Sequence, residues 1–480
     1  MTARRVLALL VSAAALGAQT PPPDPAADLG PAVDRFMKVF TLVDREAADR
    51  PASDTAIYQG ALPGALRQLD PHSIFFDPDN FKQLQEMEKS VRRGFGTIVQ
   101  ILPGRVVVLQ TQAGSPGARA GLLPGDEILG VNGYVLSQFE PEQIIQLLTQ
   151  ARQQTARLAV RRQNMPRILE FDLSPASIET PSVDRAFLLA PGQGFIRVTS
   201  FETNTAKEFR AAIEKLGGAA LKALVIDLRN NPGGVMPAAL EMSAMFLNKG
   251  QRIISIKGRS KETENIEVPA EAPAPYAFPV AILINGKSAS ASEIVTAALQ
   301  DHGRAVIVGD PSFGKGLVQN VFPMKGDTAV ALTVAYYYSP KGRNLQRPLK
   351  GSQLETPSAD TPGGVKPDLS PGPPPMTRWR YVLDQSGALT AFATEYTRKT
   401  KVDEKFEVAP KLLDEFQGWL AANKIQPRVA EWTADSLWIR QRLQQEILNL
   451  GVSVEKGDEV EFRHDPWVVR ALDRLGKPLN

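Results

Sequence analysis

Cysteine is absent from all 480 residues, which excludes disulfides, thiolate zinc sites, iron–sulfur clusters and a cysteine nucleophile. Histidine is scarce: His72, His302 and His464 are the only three, and they lie too far apart to form a short metal motif. No metal or cofactor is expected. An excess of one charge is also missing. Lys plus Arg total 55 against 52 Asp plus Glu, a net of +3, so nothing electrostatic points to nucleic acid or an anionic membrane surface as partner. Nor does any apolar run approach the roughly 20 residues of a membrane-spanning helix. What is present is ordinary globular composition, 43% hydrophobic and 22% charged, in a chain long enough for about three domains.

The chain opens MTARRVLALLVSAAALGAQT. Arg4 and Arg5 precede an apolar stretch of 11 residues, Val6 to Leu16, and small residues follow at Gly17 and Ala18. That is the layout of a secretory signal over 1–18, so the expectation is a periplasmic or otherwise extracytoplasmic protein, soluble once the signal is removed. A Pro-rich linker follows over 19–30. Residues 31–89 read as helical, with Val33, Phe36, Met37 and Phe40 on one face and Leu62, Ala65, Leu66 and Leu69 on another. The stretch LDPHSIFFDPDNF interrupts them, and a further helix is expected through FKQLQEMEKS.

From 90 to 175 short apolar strands alternate with glycine turns around AGSPGARAGLLPGDEILGVNG, and PEQIIQLLTQA reads as a helix. From 180 to 375 strands and helices alternate. GFIRVTSF, ALVIDLR, AILI and AVIVG are strands, TAKEFRAAIEKL, MPAALEMSAMFL and 291–302 are helices, and the class is therefore α/β. A Pro/Gly-rich breaker at 357–375 precedes a helical region, 376–480, that carries no motif.

Three stretches could carry chemistry. In KSASASEIV, Ala291, Ile294, Val295, Ala298 and Leu299 share one helical face, which places Ser290 at the helix start, directly after the strand AILI. A serine there is exposed beside unpaired amides and the positive end of the helix dipole, as a nucleophile with a built-in oxyanion donor requires. Taken alone, Ser290-Ala291-Ser292-Glu293 reads more simply as a capping box. In DPSFGKGLVQ, Lys315 lies in a glycine turn between two apolar strands, with Gln319 four residues on. A lysine acts as general base only where desolvation lowers its pKa from about 10.4 towards 7–8, and Gln319 could hold the amine in line. The same stretch resembles a P-loop, but Gly316 stands where a hydroxyl is needed and a strand follows. In DLRNNPGGVMP, Gly233 and Gly234 form a sharp strand-to-helix turn, which suits either an oxyanion hole or a plain connection. No G-x-S-x-G nucleophile elbow is present.

In the order secretory leader, LDPHS, GSPGARAGLLPGDEILGVNG, RNNPGG, SASASE and FGKGLVQ, these pieces resemble the carboxyl-terminal processing proteases, serine peptidases of family S41 with a Ser/Lys dyad and an attached PDZ domain. The resemblance implies a multi-domain α/β protein, with a PDZ domain at 90–175 and a ClpP/crotonase-like β/α spiral core at 180–375, flanked by helical regions. It implies Ser290 as nucleophile, Lys315 as base with Gln319 beside it, and an oxyanion hole from the amides of Ala291 and of Gly233 or Gly234. The PDZ groove would use the loop Gly94, Phe95 and Gly96 with Ile145 and Leu148, and would take unstructured protein tails with apolar C-termini. Gating by the PDZ domain, a homodimer or larger oligomer and an adaptor are compatible with the family pattern. RPLKGSQLETPSADTP (347–362) reads as an insertion before GVKPD. The competing reading is a PDZ-type binding protein that has lost catalysis; the joint survival of Ser290, Lys315 and Gln319 argues against it.

Overall fold

The computed structural model describes residues 29–49, 52, 54–82, 93–152, 154–163, 165–178, 181–259, 262–348, 363–372 and 376–476. The expected secretory leader, most of the linker, the helix beyond residue 82 and most of the 347–362 insertion lie outside these residues. The chain divides into two compact units, 1–64 and 65–480.

In the first unit, helix α1 (Leu29–Glu46) is followed by a π-helical stretch at Thr55–Ala61, and α2 (Leu62–Arg67) carries the chain onward. The apolar spacing forms the helix, but Val33, Phe36 and Met37 keep 52%, 46% and 50% of their surface.

The second unit opens with a strand inside the stretch that reads as a break: β1 is Ile74–Phe76. A two-stranded pair, β2 (Arg93–Gly94) with β9 (Ala176–Ser177), brackets a six-stranded sheet. That sheet is built from β3 (Thr97–Leu102), β4 (Arg105–Thr111), β5 (Glu127–Val131), β6 (Tyr134–Val135), β7 (Ala156–Arg161) and β8 (Leu169–Leu173). Its order is β3-β4-β5-β7-β8, with β6 on β5, so β3 is an edge. Period-two alternation sends Val106, Val108, Leu158 and Val160 to one face, where Ile144 of a helix packs on them. Between the strands lie α3 (Pro116–Ala120) and that helix, α4 (Pro141–Ala151). Ser115 caps α3 by accepting from Ala118 N–H.

The α/β part follows as β10 (Val183–Ala190), β11 (Gln193–Val198), α5 (Thr205–Leu216), β12 (Ala223–Asp227), α6 (Met236–Ala244), β13 (Arg252–Lys257), β14 (Glu264–Glu267), β15 (Val280–Ile284), α7 (Ala291–Asp301), β16 (Ala305–Gly309), β17 (Leu317–Met324) and β18 (Thr328–Tyr338). One sheet runs β10-β11-β12-β15-β16, antiparallel only at the β10/β11 hairpin. Every residue of β12 and β15 is buried, which explains their unbroken apolar runs: a parallel strand is covered on both faces. Ile196, Ile226 and Ile282 face a cluster with Phe209, Met242 and Val295 from α5, α6 and α7. The second sheet runs β1-β18-β13-β14, with β17 also on β18.

The tail forms α8 (Arg378–Ser386), α9 (Ala388–Lys399), α10 (Pro410–Ala422), α11 (Val429–Gly451), α12 (Val454–His464) and α13 (Pro466–Arg474). It packs on both preceding parts. Phe462 stacks on Phe195 at 4.5 Å and Arg185 pairs with Asp458 at 2.5 Å. Thr390 donates to Gln100 Oε1 of β3 at 2.8 Å, and Val454 N–H to Gln110 Oε1 of β4 at 3.0 Å.

Candidate active site

The loop from β15 into α7 is fixed first by side chains that do no chemistry. Ser288 Oγ donates to Leu228 C=O at 2.7 Å and accepts from Asn285 N–H at 2.9 Å. Ser290 then takes φ +55° and ψ −114°, backbone values that a serine rarely adopts and that cost of order 1–3 kcal/mol. They turn the chain sharply from strand to helix. Of the two halves of a capping box, the Ser290 side chain makes no cap hydrogen bond, while Ser290 N–H donates to Glu293 Oε2 at 2.8 Å. The hydroxyl is thereby spared from capping.

Glu293 is 1% exposed and its carboxylate is filled from four directions. Oε1 accepts from Ser312 Oγ at 2.5 Å and Gly314 N–H at 2.7 Å; Oε2 accepts from Lys315 N–H at 2.8 Å besides Ser290. Burial pushes its pKa up, against the opposing pull of those donors. The same carboxylate thus holds the main chain at Ser290 and at Lys315. Phe313 N–H adds a bond to Ser288 C=O at 2.9 Å. Lys315 is part-buried, and among the described residues its ammonium takes part in no ion pair or hydrogen bond.

The Asn-rich turn closes the third side. Asn231, fully buried, donates through Nδ2 to Val198 C=O at 2.7 Å, and its C=O accepts from Ala289 N–H at 3.0 Å and Ser292 Oγ at 3.1 Å. Gly233 has φ +96°, and a Cβ added there would lie 2.6 Å from Ala289 C=O, 2.8 Å from Ser290 Cβ and 2.9 Å from Ala291 N. Glycine is required because its bare Cα lies against the serine. As an oxyanion donor, however, Gly233 needs correcting: its N–H is spent on Asn231 Oδ1 at 2.8 Å. Among the described residues neither Gly234 nor Ala291 donates its N–H to any protein acceptor, and Ala291, first in α7, has no intrahelical acceptor by position.

Gln319 also differs from expectation. A register shift between Val318 and Gln319 in β17 breaks simple alternation, and the side chain donates to His72 C=O at 2.7 Å rather than to the lysine. His72 belongs to a turn wound round Asp70, whose Oδ1 accepts from His72 N–H at 2.7 Å and Ser73 N–H at 2.8 Å. The LDPHS stretch is therefore the support of Gln319. Its Asp-Pro start signals a turn, but nothing local announces the partner.

Beside the six-stranded sheet, in the two-stranded pair, Gly94 of β2 pairs with Ala176 of β9. Phe95, between Gly94 and Gly96, is buried in the sheet's core, and its C=O accepts from Gly117 N–H at 2.8 Å. Gly96, at φ +65°, backs onto Ser115. Ile145 is 50% exposed on α4, Leu148 is half-buried beside it, and the adjoining strand β3 pairs on one side only.

Comparisons with known proteins bear on this geometry. Residues 192–369 match peptidase family S41, and residues 107–162 match the PDZ domain. The chain is 33% identical over 317 residues to a carboxy-terminal-processing protease of Bartonella bacilliformis, covering 65% of this chain and 72% of that one. It is 29% identical over 319 residues to the carboxy-terminal processing protease CtpB of Bacillus subtilis, covering 66% of each. A solved photosystem II D1 C-terminal processing protease is 26% identical, covers 72% of this chain and 91% of its own, and superimposes with a TM-score of 0.42. A serine-type peptidase with an attached PDZ domain is the class so defined. The chain belongs to the carboxy-terminal-processing proteases of peptidase family S41.

Proposed function

We propose that this peptidase is an extracytoplasmic endopeptidase in which Ser290 and Lys315 form the catalytic pair. Lys315 Nζ takes the proton of Ser290 Oγ as the oxygen attacks a peptide carbonyl. The tetrahedral oxyanion is received by the amides of Ala291 and Gly234. The amine leaves with the proton from Lys315, and water, deprotonated by the same lysine, hydrolyses the acyl-enzyme. The observation that carries this reading is the Glu293 carboxylate, which holds the backbone of both residues at 2.8 Å. The Lys315 amine, which makes no ion pair or hydrogen bond among the described residues, supports it. Gln319 acts from one step away, by tying β17 to the turn at Asp70.

Substrates are proteins with unstructured, apolar C-terminal tails, held as an added strand on β3 beside Ile145 and Leu148 of α4, with the Gly94–Gly96 loop at the terminal carboxylate. The same reading takes 1–18 as an export signal, 19–30 as a linker, 31–89 and 376–480 as helical flanks, 90–175 as the PDZ domain and 180–375 as the protease core. No helix among the described residues is long and apolar enough to cross a membrane.

The test is cleavage of an unstructured protein ending in apolar residues by the parent and by Ser290→Ala and Lys315→Ala. Each substitution is expected to lower turnover at least a thousandfold, as loss of a nucleophile or its base does, with folding unchanged. Parental cleavage by Ser290→Ala would overturn the assignment.

A further inference from the structure

A tail added to β3 in the proposed groove meets α4 on one face of the sheet only. Strand β3 hydrogen-bonds to β4 alone, so its outer edge carries unpaired main-chain groups able to take on another strand. Helix α4 lies on one face of the sheet. On the other face stand α11 and α12, and between them and β3 lies an open cleft of about 890 Å³. Gln100 of the edge strand lines it, with Val99 beside it in the chain, and so do Leu437 and Trp438 of α11. A volume of that order accommodates several side chains.

The charges in the cavity are unevenly matched. Asp384 and Glu446 share Arg442, Asp458 holds Arg185, and Asp465 holds Arg229. Arg380 is held by Asp435 at 2.7 Å. Glu461 differs: it accepts from the Gln445 amide at 2.5 Å and, among the described residues, makes no contact ion pair, with Arg442 as the cation that acts on it from farther off. Its side chain stays accessible, yet protein surrounds it closely enough for burial to push its pKa up. Glu461 is itself one of the residues that line the cavity.

We propose that this cavity is the second half of the peptide groove. An extended substrate tail added to β3 directs alternate side chains to opposite faces. When the C-terminal residue faces α4, the penultimate residue and the one two before it face the cavity. There a long side chain with a cationic end lays its stem along Leu437, beside the Trp438 ring that Arg380 already covers, and places its charge on Glu461. The inference rests on the peptide reading of β3 and α4, and it assigns to the helical tail a part in substrate selection.

The experiment uses the full chain carrying Ser290→Ala, so that bound peptides are not cleaved. Fluorescent decapeptides share an apolar C-terminal residue and carry Lys, Gln or Glu at the penultimate position, and their affinities are read by anisotropy. The Lys peptide is expected to bind about tenfold tighter than the Gln peptide, the value of one partly desolvated charge contact. Adding Glu461→Gln should abolish that difference and leave affinity for the Gln peptide unchanged, which a merely structural role of Glu461 would not do. A Lys preference that is absent, or that survives Glu461→Gln while Ile145→Glu still weakens all peptides, overturns the inference and leaves the β3/α4 groove standing. If Ile145→Glu changes no affinity, or no peptide binds the parent, the groove itself fails and the inference with it.

Discussion

Removing the Glu293 carboxylate is the sharpest perturbation of the proposed machinery, because four donors converge on it: the amides of Ser290, Gly314 and Lys315 and the hydroxyl of Ser312. Glutamine keeps the shape but replaces one acceptor oxygen with an amide donor. If that amide faces the Ser312 side, the hydroxyl can rotate to accept, and only the Gly314 N–H loses its partner. A buried unsatisfied donor costs about 1–3 kcal/mol, so Glu293→Gln should lose about that much stability. Glu293→Ala orphans all four donors and leaves a void, so its loss should exceed the glutamine loss at least twofold. Catalysis should suffer more than stability. The bonds at Ser290 and Lys315 set the separation of the proposed nucleophile and base, and misplacement by about 1 Å can cost a hundredfold. The assay pairs denaturant unfolding with turnover of an unstructured substrate, measured where both variants remain folded. The expected result is a fall in turnover of about a hundredfold or more for Glu293→Ala, with KM little changed. A folded Glu293→Ala protein with parental turnover would refute the claim that this carboxylate joins the two loops.

Gly233→Ala places a Cβ within 2.9 Å of three atoms of the nucleophile loop at a φ of +96°; it should cost about 1–3 kcal/mol and displace Ser290, so an unimpaired turnover would contradict the packing described. Phe462→Ala removes a ring stacked on Phe195 and Phe187 and should lower unfolding free energy by about 3–5 kcal/mol; a loss below 1 kcal/mol would show that α12 is not anchored there. The pH dependence of stability follows from Glu446, whose pKa is raised chiefly by burial. Its folded state then holds a proton that the unfolded chain has already released, so its contribution to stability rises as pH falls from the raised folded value towards the ordinary carboxylate range. Glu446→Gln mimics the protonated form, so its Tm advantage over the parent should be largest at neutral pH and shrink on acidification; an advantage that grows towards low pH would reverse the assigned sign.

Much of this protein is legible locally. Apolar spacing of 3.6 defines α5 and α7, unbroken apolar runs define β12 and β15, and glycine with proline marks the turns, because each of these is set by neighbours within a few residues. The candidate nucleophile and lysine are legible too, as a serine at a strand-to-helix junction and a lysine between glycines. The strand β1 is not: three residues between prolines carry too little periodicity, and only pairing with β18 makes them a strand. Likewise the sequence places Gln319 four residues from Lys315, whereas a shift of register turns its amide to His72, 247 residues away.

The amino-acid order thus determined the long periodic elements, the absence of cysteine chemistry and the residue types available for acyl transfer. Only the tertiary structure decided that a capping glutamate also grips the lysine loop, that Gly233 offers its bare Cα while its amide is occupied, and that a tail without motifs covers one face of the PDZ-domain sheet. The reason is physical. Periodicity and turn chemistry are short-range, whereas hydrogen bonds and ring contacts between segments tens to hundreds of residues apart leave no spacing in the chain by which to read them.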